Sequence, residues 1–144
     1  MVRPHLVSGI MLNSGAIYPL NWSGGTRVFS ATAARETTVM MDALNDVVLY
    51  GGKYKIPTMS VAVKTGTAQL PTPSGTYYTN KFFDSWVGFF PSFAPRFIVL
   101  LYLIDPHSIY ADTTLVGTWE DLLHFLINYY AVPPDRGFAT TTPS

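Results

Sequence analysis

Eight apolar residues in a row, Phe97-Ile-Val-Leu-Leu-Tyr-Leu-Ile104, constrain the fold more than any other stretch. The run is too short to cross a bilayer, since a spanning helix needs about 20 apolar residues. It reads as a strand over residues 96–105, and its unbroken apolar pattern predicts burial on both faces. Phe82 to Phe90 reads as the strand before it, and Pro91-Ser-Phe-Ala-Pro95 as the turn between them. Thr58 onward alternates, so Met59, Val61, Val63, Thr65 and Thr67 share one face while Ser60, Ala62, Lys64 and Gly66 share the other. A loop over 69–81, rich in Pro, Thr, Ser and Tyr, follows that strand. Three strands joined this way predict an antiparallel meander.

The flanking segments predict a helix on each side of the meander. Ser30 or Thr32 is a candidate N-cap, with Glu36 in the first turn. Ala33, Met40, Met41, Leu44, Val47 and Val48 fall on one face, and Gly51-Gly52 ends the helix. The two methionines read as core packing rather than soft-metal ligands. Further on, Thr118 with Asp121 forms a capping-box pattern. Trp119, Leu122, Leu123, Leu126, Tyr129 and Tyr130 then make an apolar helix face, which Pro133-Pro134 stops. Glu120 and Asp121 are expected to serve that helix N-terminus. Before the first helix, Leu6 to Leu12 and Ala16 to Tyr18 read as extended segments about an Asn13-Ser-Gly15 turn, and Gly24-Gly25 punctuates a loop. The fold class is α+β.

Hydrophobic residues make up 48% of the 144 and charged ones only 12%. That excess of apolar surface suits either an unusually apolar domain or part of a larger fold whose other part covers it. Lys and Arg total 9, as do Asp and Glu, with no basic run to follow a phosphate backbone, so nucleic-acid binding is not expected. The absence of cysteine excludes disulfides and thiolate metal sites. His5, His107 and His124 show no ligand spacing, and neither a metal nor a cofactor is expected.

The chemistry concentrates at Lys64-Thr65-Gly66-Thr67. Gly66 lets a ligand's backbone come close to the strand. Thr65 and Thr67 carry hydroxyls suited to a carboxylate, and backbone N–H groups here can donate to a developing oxyanion. Lys64 attracts an anion and can bias a nearby proton transfer. Taken alone, the tripeptide reads more readily as a solvent-exposed strand end with an ordinary surface lysine.

Its surroundings carry more. Arg3-Pro-His-Leu-Val7, Val61-Ala-Val-Lys-Thr-Gly-Thr-Ala-Gln69, Ser85-Trp-Val-Gly-Phe-Phe-Pro91, Pro95-Arg-Phe-Ile-Val99 and Ile104-Asp-Pro106 occur in that order. The series, with the helices at Ser30 to Gly52 and Trp119 to Tyr130, resembles the C-terminal half of the transpeptidase domain of class B penicillin-binding proteins. The resemblance covers most of residues 1–134, with 135–144 expected to be a disordered tail. It implies part of the β-lactamase/transpeptidase-like fold, and a parent enzyme that cross-links peptidoglycan stem peptides through an acyl-serine. Lys64 would then be the motif lysine in a supporting catalytic role. Thr65 would bind the carboxylate of a D-Ala-D-Ala terminus or of a β-lactam. Gly66 would belong to the same substrate wall, and Thr67 would supply one oxyanion-hole N–H. The implied partners are stem peptides, β-lactams, the N-terminal half of the domain and membrane-complex proteins. The implied location is the extracytoplasmic face of the cell membrane, with the parent anchored by an upstream segment.

Two departures stand against the resemblance. Val63 occupies a position where the family commonly has glycine, and its bulk is expected to crowd the groove. No Ser-x-x-Lys and no Ser-x-Asn occurs anywhere in the chain. Serine acyl transfer needs a nucleophile and an adjacent base, so the chain alone is expected to be inactive. A non-catalytic module that needs a partner is the alternative of a different class. A fragment of a serine β-lactamase or D,D-carboxypeptidase is a third reading, which the Thr-Ala-Gln continuation disfavours.

Overall fold

The structure is a computed structural model that describes residues 6–21 and 25–137. The chain divides into two compact units, Met1–Ala34 and Arg35–Ser144.

In the first unit, β1 (Gly9–Met11) and β2 (Ile17–Pro19) pair antiparallel. The Leu12 N–H donates to the Ala16 carbonyl at 2.8 Å, and Gly15 turns the chain at φ +82. The expected Asn-Ser-Gly turn is therefore present. The Pro-His-Leu-Val entry and the Gly24 half of the glycine pair fall partly outside the described residues.

Helix α1 (Ala31–Ala43) starts where expected: Ser30 Oγ accepts from the Ala33 N–H at 3.0 Å, as an N-cap does. It then continues as a π turn over Leu44–Val48 and a 3₁₀ turn over Leu49–Gly52. Tyr50, Gly51 and Gly52 all take positive φ. Gly52 is required, because a Cβ there would lie 2.3 Å from the Asp46 carbonyl oxygen. The expected apolar face is not the buried one. Met40, Val47 and Val48 are each about two-thirds exposed, and α1 buries no residue. The side that packs inward keeps Leu44 of that face against the core, but otherwise carries the buried Asn45 together with Asp42 and Asp46, the last two of which join a polar network described below.

The second unit is built on a three-stranded antiparallel sheet, β3 (Ala62–Pro71), β4 (Tyr77–Phe90) and β5 (Phe97–Ile104), in that order. The meander is as expected, but the 69–81 loop shrinks to a turn over Thr72 to Thr76. There the Thr72 N–H donates to the Thr76 carbonyl at 2.8 Å, and the Thr72, Ser74 and Thr76 hydroxyls bond one another. A register shift between Gln69 and Pro71 lets the proline sit in the strand. Register places Val63, Thr65 and Thr67 on one face with Asp84, Trp86, Gly88 and Phe90, and with Val99 and Leu101 of β5. Helix α2 (Ala111–Tyr129) covers that face with Ala111, Leu115, Trp119 and Leu123, one residue per helical turn. The Trp86 and Trp119 rings stack at 5.8 Å.

Helix α2 begins eight residues before the predicted Trp119 start, so Thr118 and Asp121 are not its cap. Two docking contacts override the low helix propensity of Thr113, Thr114 and Gly117. The Ala111 N–H donates to Thr67 Oγ1, and the Thr114 hydroxyl donates to Asp84. Of the predicted apolar face, Trp119 and Leu123 are buried, whereas Tyr129 and Tyr130 are exposed.

β5 is not buried on both faces. Ile98, Leu100, Tyr102 and Ile104 are 58–75% exposed. No described element covers the second face of the sheet.

The segment after α2 is tied down. Asp135 Oδ1 accepts from the Ser60 N–H at 2.7 Å, and its other oxygen accepts from the Ser60 hydroxyl. Arg136 forks between Asp42 and Asp46 at 2.5 and 2.6 Å. Ser92 donates its hydroxyl to Asp42 and its N–H to Ser60 Oγ, closing the network. Residues 135 and 136 of the predicted tail are thus bonded to the sheet lead-in and to the α1 segment, and residues 138–144 lie outside the described part.

Candidate functional site

The Lys64–Thr67 stretch lies midway along β3, which is an edge strand paired only with β4 among the described residues. Alternate backbone N–H and C=O groups of an edge strand face outward, available to a ligand. β3 is a well-defined strand because its lead-in, Met59 to Val63, is fully buried under α2 and the residues around it. The site therefore begins where the core ends.

Within it, Lys64 is exposed on the face opposite α2, and its Nζ donates to the Thr65 carbonyl at 2.5 Å. Thr65 is half-buried on the α2 face. Gly66 sits over Ser85, whose Oγ would lie 2.7 Å from an added Cβ and donates weakly to the Gly66 carbonyl at 3.4 Å. The absent side chain keeps this part of the strand flat. Thr67 is exposed, and its hydroxyl oxygen accepts the Ala111 N–H at 3.1 Å. A hydroxyl that accepts one bond still has its own proton to donate.

Val63 does not intrude on this edge. It is fully buried in the core with Trp86 and Trp119, so the bulk expected to crowd the groove fills the interior instead. Asp84 reaches neither Lys64, Lys81 nor Arg96. It is fully buried and accepts from Thr114 Oγ1 at 2.7 Å, while its second oxygen has no partner. From the sequence alone Asp84 could pair with Lys64, Lys81 or Arg96 with nothing to choose among them, and neither Thr114 nor Ala111 stood out. The only signal for them was an acidic residue inside an apolar strand, which burial makes costly unless it is hydrogen-bonded.

The remaining candidates are brought elsewhere. Lys81 pairs with Asp105 at 3.0 Å, and that hydrogen bond and charge raise the lysine's pKa above its usual value. Phe83 stacks on Tyr102, and Tyr78 lies under the Lys81 ammonium. Glu120 serves no helix N-terminus. It pairs with His124 at 3.7 Å, and burial pushes its carboxyl pKa up. His5 lies outside the described residues, and among those described no cluster of three or more His, Asp or Glu side chains forms a metal set.

Comparison with known proteins shows what the chain is similar to. The family described as "Penicillin binding protein transpeptidase domain" matches residues 1–118. The probable peptidoglycan D,D-transpeptidase PenA of Neisseria gonorrhoeae is 26% identical over 93% of the chain and 25% of its own length. The peptidoglycan D,D-transpeptidase FtsI of Escherichia coli K12 is 36% identical over 58% of the chain and 14% of its own length. The crystal structure of penicillin-binding protein 3 from Mycobacterium tuberculosis superimposes with a TM-score of 0.76 at 20% identity, covering 99% of this chain and 34% of that one. The chain spans between 14% and 35% of the length of these curated relatives and others like them.

Proposed function

The chain belongs to the penicillin-binding protein transpeptidase family, and from that membership we propose that it forms the C-terminal part of a peptidoglycan D,D-transpeptidase. In this reading it supplies one wall of the site that receives the D-Ala-D-Ala end of a stem peptide, or a β-lactam in its place. The carrying observation is the open edge of β3, on which two threonine hydroxyls and a lysine lie within four residues.

Thr65 and Thr67 would donate hydroxyl protons to the substrate's carboxylate. The Thr65 carbonyl is taken by Lys64, and Thr67, two residues on, shares its phase in the ladder. The Thr67 N–H would therefore face the same edge and serve as one oxyanion donor. Gly66 would let the substrate backbone lie against the strand. Lys64 would hold positive charge beside the attacking group and assist proton movement. The serine nucleophile, its lysine base and the Ser-x-Asn motif would come from the N-terminal half of the domain. That half would also cover the second face of the sheet. We place the parent enzyme at the extracytoplasmic face of the cell membrane, among the proteins of a wall-building complex. No helix among the described residues is long and apolar enough to cross a membrane.

Intact-mass measurement after incubation with benzylpenicillin tests this reading. The isolated chain is expected to gain no penicilloyl adduct. Reconstituted with the N-terminal half of the domain, it is expected to support a stoichiometric adduct on that half, which Lys64→Ala and Thr65→Val abolish. An adduct on the isolated chain would overturn the division of labour. Failure of Lys64→Ala and Thr65→Val to slow acylation of the reconstituted domain would overturn the role of β3.

A further inference from the structure

Helix α2 has no cap of its own. Tyr110 stands at the N-cap position and offers no side-chain acceptor. The first N–H groups of a helix nevertheless need acceptors, all the more where the helix start is buried, as Ala111 is. The Ala111 N–H finds one in the site strand, at Thr67 Oγ1, 3.1 Å away. One turn on, Thr114 Oγ1 donates to Asp84 at 2.7 Å. Asp84 is the cross-strand partner of Thr67 on the same face of the sheet. The first turn of α2 is thus pinned to one pair of facing residues, one of which belongs to the candidate site.

We infer that Asp84 and Thr114 are positioning residues for the Thr67 hydroxyl, acting through the first turn of α2. The argument runs through the hydrogen-bond capacity of a hydroxyl. Thr67 Oγ1 has two lone pairs and one proton. With the Ala111 N–H fixed on one lone pair, the side chain is held in a single rotamer and its proton points away from the helix. Thr67 is exposed, so that proton faces the open side, where a carboxylate would meet it. The Thr114–Asp84 bond supplies the fixing force, because it is short and its acceptor is fully buried. Asp84 never reaches the substrate. It sets where the helix start lies, and the helix start sets Thr67. The inference rests on the carboxylate-binding role proposed for Thr67.

The experiment uses the full chain, labelled with ¹⁵N and with ¹³C at the threonine methyls and bound to the unlabelled N-terminal half of the domain. In Thr114→Val, nearly the same shape without the donor, the Ala111 amide is expected to exchange roughly tenfold faster, the factor a lost hydrogen bond to a charged group implies. The Thr67 χ1 couplings are expected to move from one rotamer towards an average. Thr114→Ser is expected to restore both, which a purely steric role for the methyl group would not do. Asp84→Asn, which keeps an acceptor oxygen, is expected to fall between. Titration with N-acetyl-D-alanyl-D-alanine gives a second readout, with binding weakened severalfold in Thr114→Val and recovered in Thr114→Ser. An unchanged Thr67 rotamer in both Thr114→Val and Asp84→Asn overturns the inference, whatever the ligand does. A chain whose Thr67 rotamer responds as expected but which binds no dipeptide, even joined to its N-terminal half, confirms the positioning and overturns the carboxylate role instead.

Discussion

Glu120 shows how one side chain can work against its own charge. It is mostly buried on α2, its Oε1 has no partner, and His124, at 3.7 Å, does not offset the loss of water. Burial raises its pKa from 4.5, so the folded state prefers the protonated carboxyl. The raised pKa means the folded state binds the proton more tightly than the unfolded one. This contribution is fully present below pH 4.5 and fades as pH rises through the folded value. Glu120→Gln is therefore expected to melt at a higher temperature than the unsubstituted chain at pH 7. The difference should vanish towards pH 4, as thermal melts at the two pH values would show. The Lys81 pKa is also raised, but for a different cause: its partner Asp105 keeps an exposed cation charged to higher pH.

Among the elements, the α2 docking onto β4 is the least forgiving contact. A Cβ at Gly88 would lie 2.2 Å from Cη2 of Trp119, and 3.1 Å from the Ala62 carbonyl oxygen. Neither the indole nor the backbone can step aside. Gly88→Ala is expected to cost about 3 kcal/mol, the upper range for overpacking a core, read from a denaturant midpoint. The polar clasp makes a second prediction. Arg136 is 22% exposed and satisfies two carboxylates that are 15% and 12% exposed. Arg136→Ala leaves Asp42 with the Ser92 hydroxyl and Asp46 with Lys55 at 3.2 Å, and is expected to cost about 2 kcal/mol for the lost charged hydrogen bonds. Asp135→Ala is expected to lower the stability further by freeing Ser60.

The same elements mark how far the sequence could be read. The meander, the Ser30 cap and the hairpin around Asn13-Ser-Gly15 were legible because each rests on a local signal: period-two alternation, a cap residue, a turn triplet. The start of α2 was not. Its N-terminus is defined by Thr67 and Asp84, which lie 44 and 30 residues away, while Thr118 and Asp121 offered a local imitation of a cap. The 69–81 loop was misjudged for a related reason, since pairing with β4 keeps Pro71 in a strand. The buried side of α1 was hidden too, because acidic residues face inward to meet Arg136. Of the site, Lys64 to Thr67 could be read as a unit, whereas the contacts that hold Thr67 could not.

At the scale of the whole molecule, the second unit is a sheet covered on one side. Phe83, Val87 and Phe89 share the other face with Ile98, Leu100, Tyr102 and Ile104, and the last four are more than half exposed. An apolar surface of this kind calls for cover. The isolated chain is expected to bind an apolar dye such as anilinonaphthalene sulfonate strongly and to self-associate at micromolar concentration. Adding the N-terminal half of the domain should suppress both. A monodisperse monomer with no dye fluorescence would show that the face is stable in water, and would count against the proposed N-terminal half as its cover.

The clasp also imposes an order in time. Asp42 leaves the ribosome 94 residues before the Arg136 that pairs with it, and Ser60 precedes Asp135 by 75. At about 5–20 residues per second, Asp42 waits roughly 5–20 s for its partner. For that interval the lead-in to the strand bearing Lys64 to Thr67 lacks the Asp135 contact. A nascent chain cut short before residue 135 would carry every residue of the candidate site and lack that fastening. The clasp therefore closes only after synthesis has passed α2.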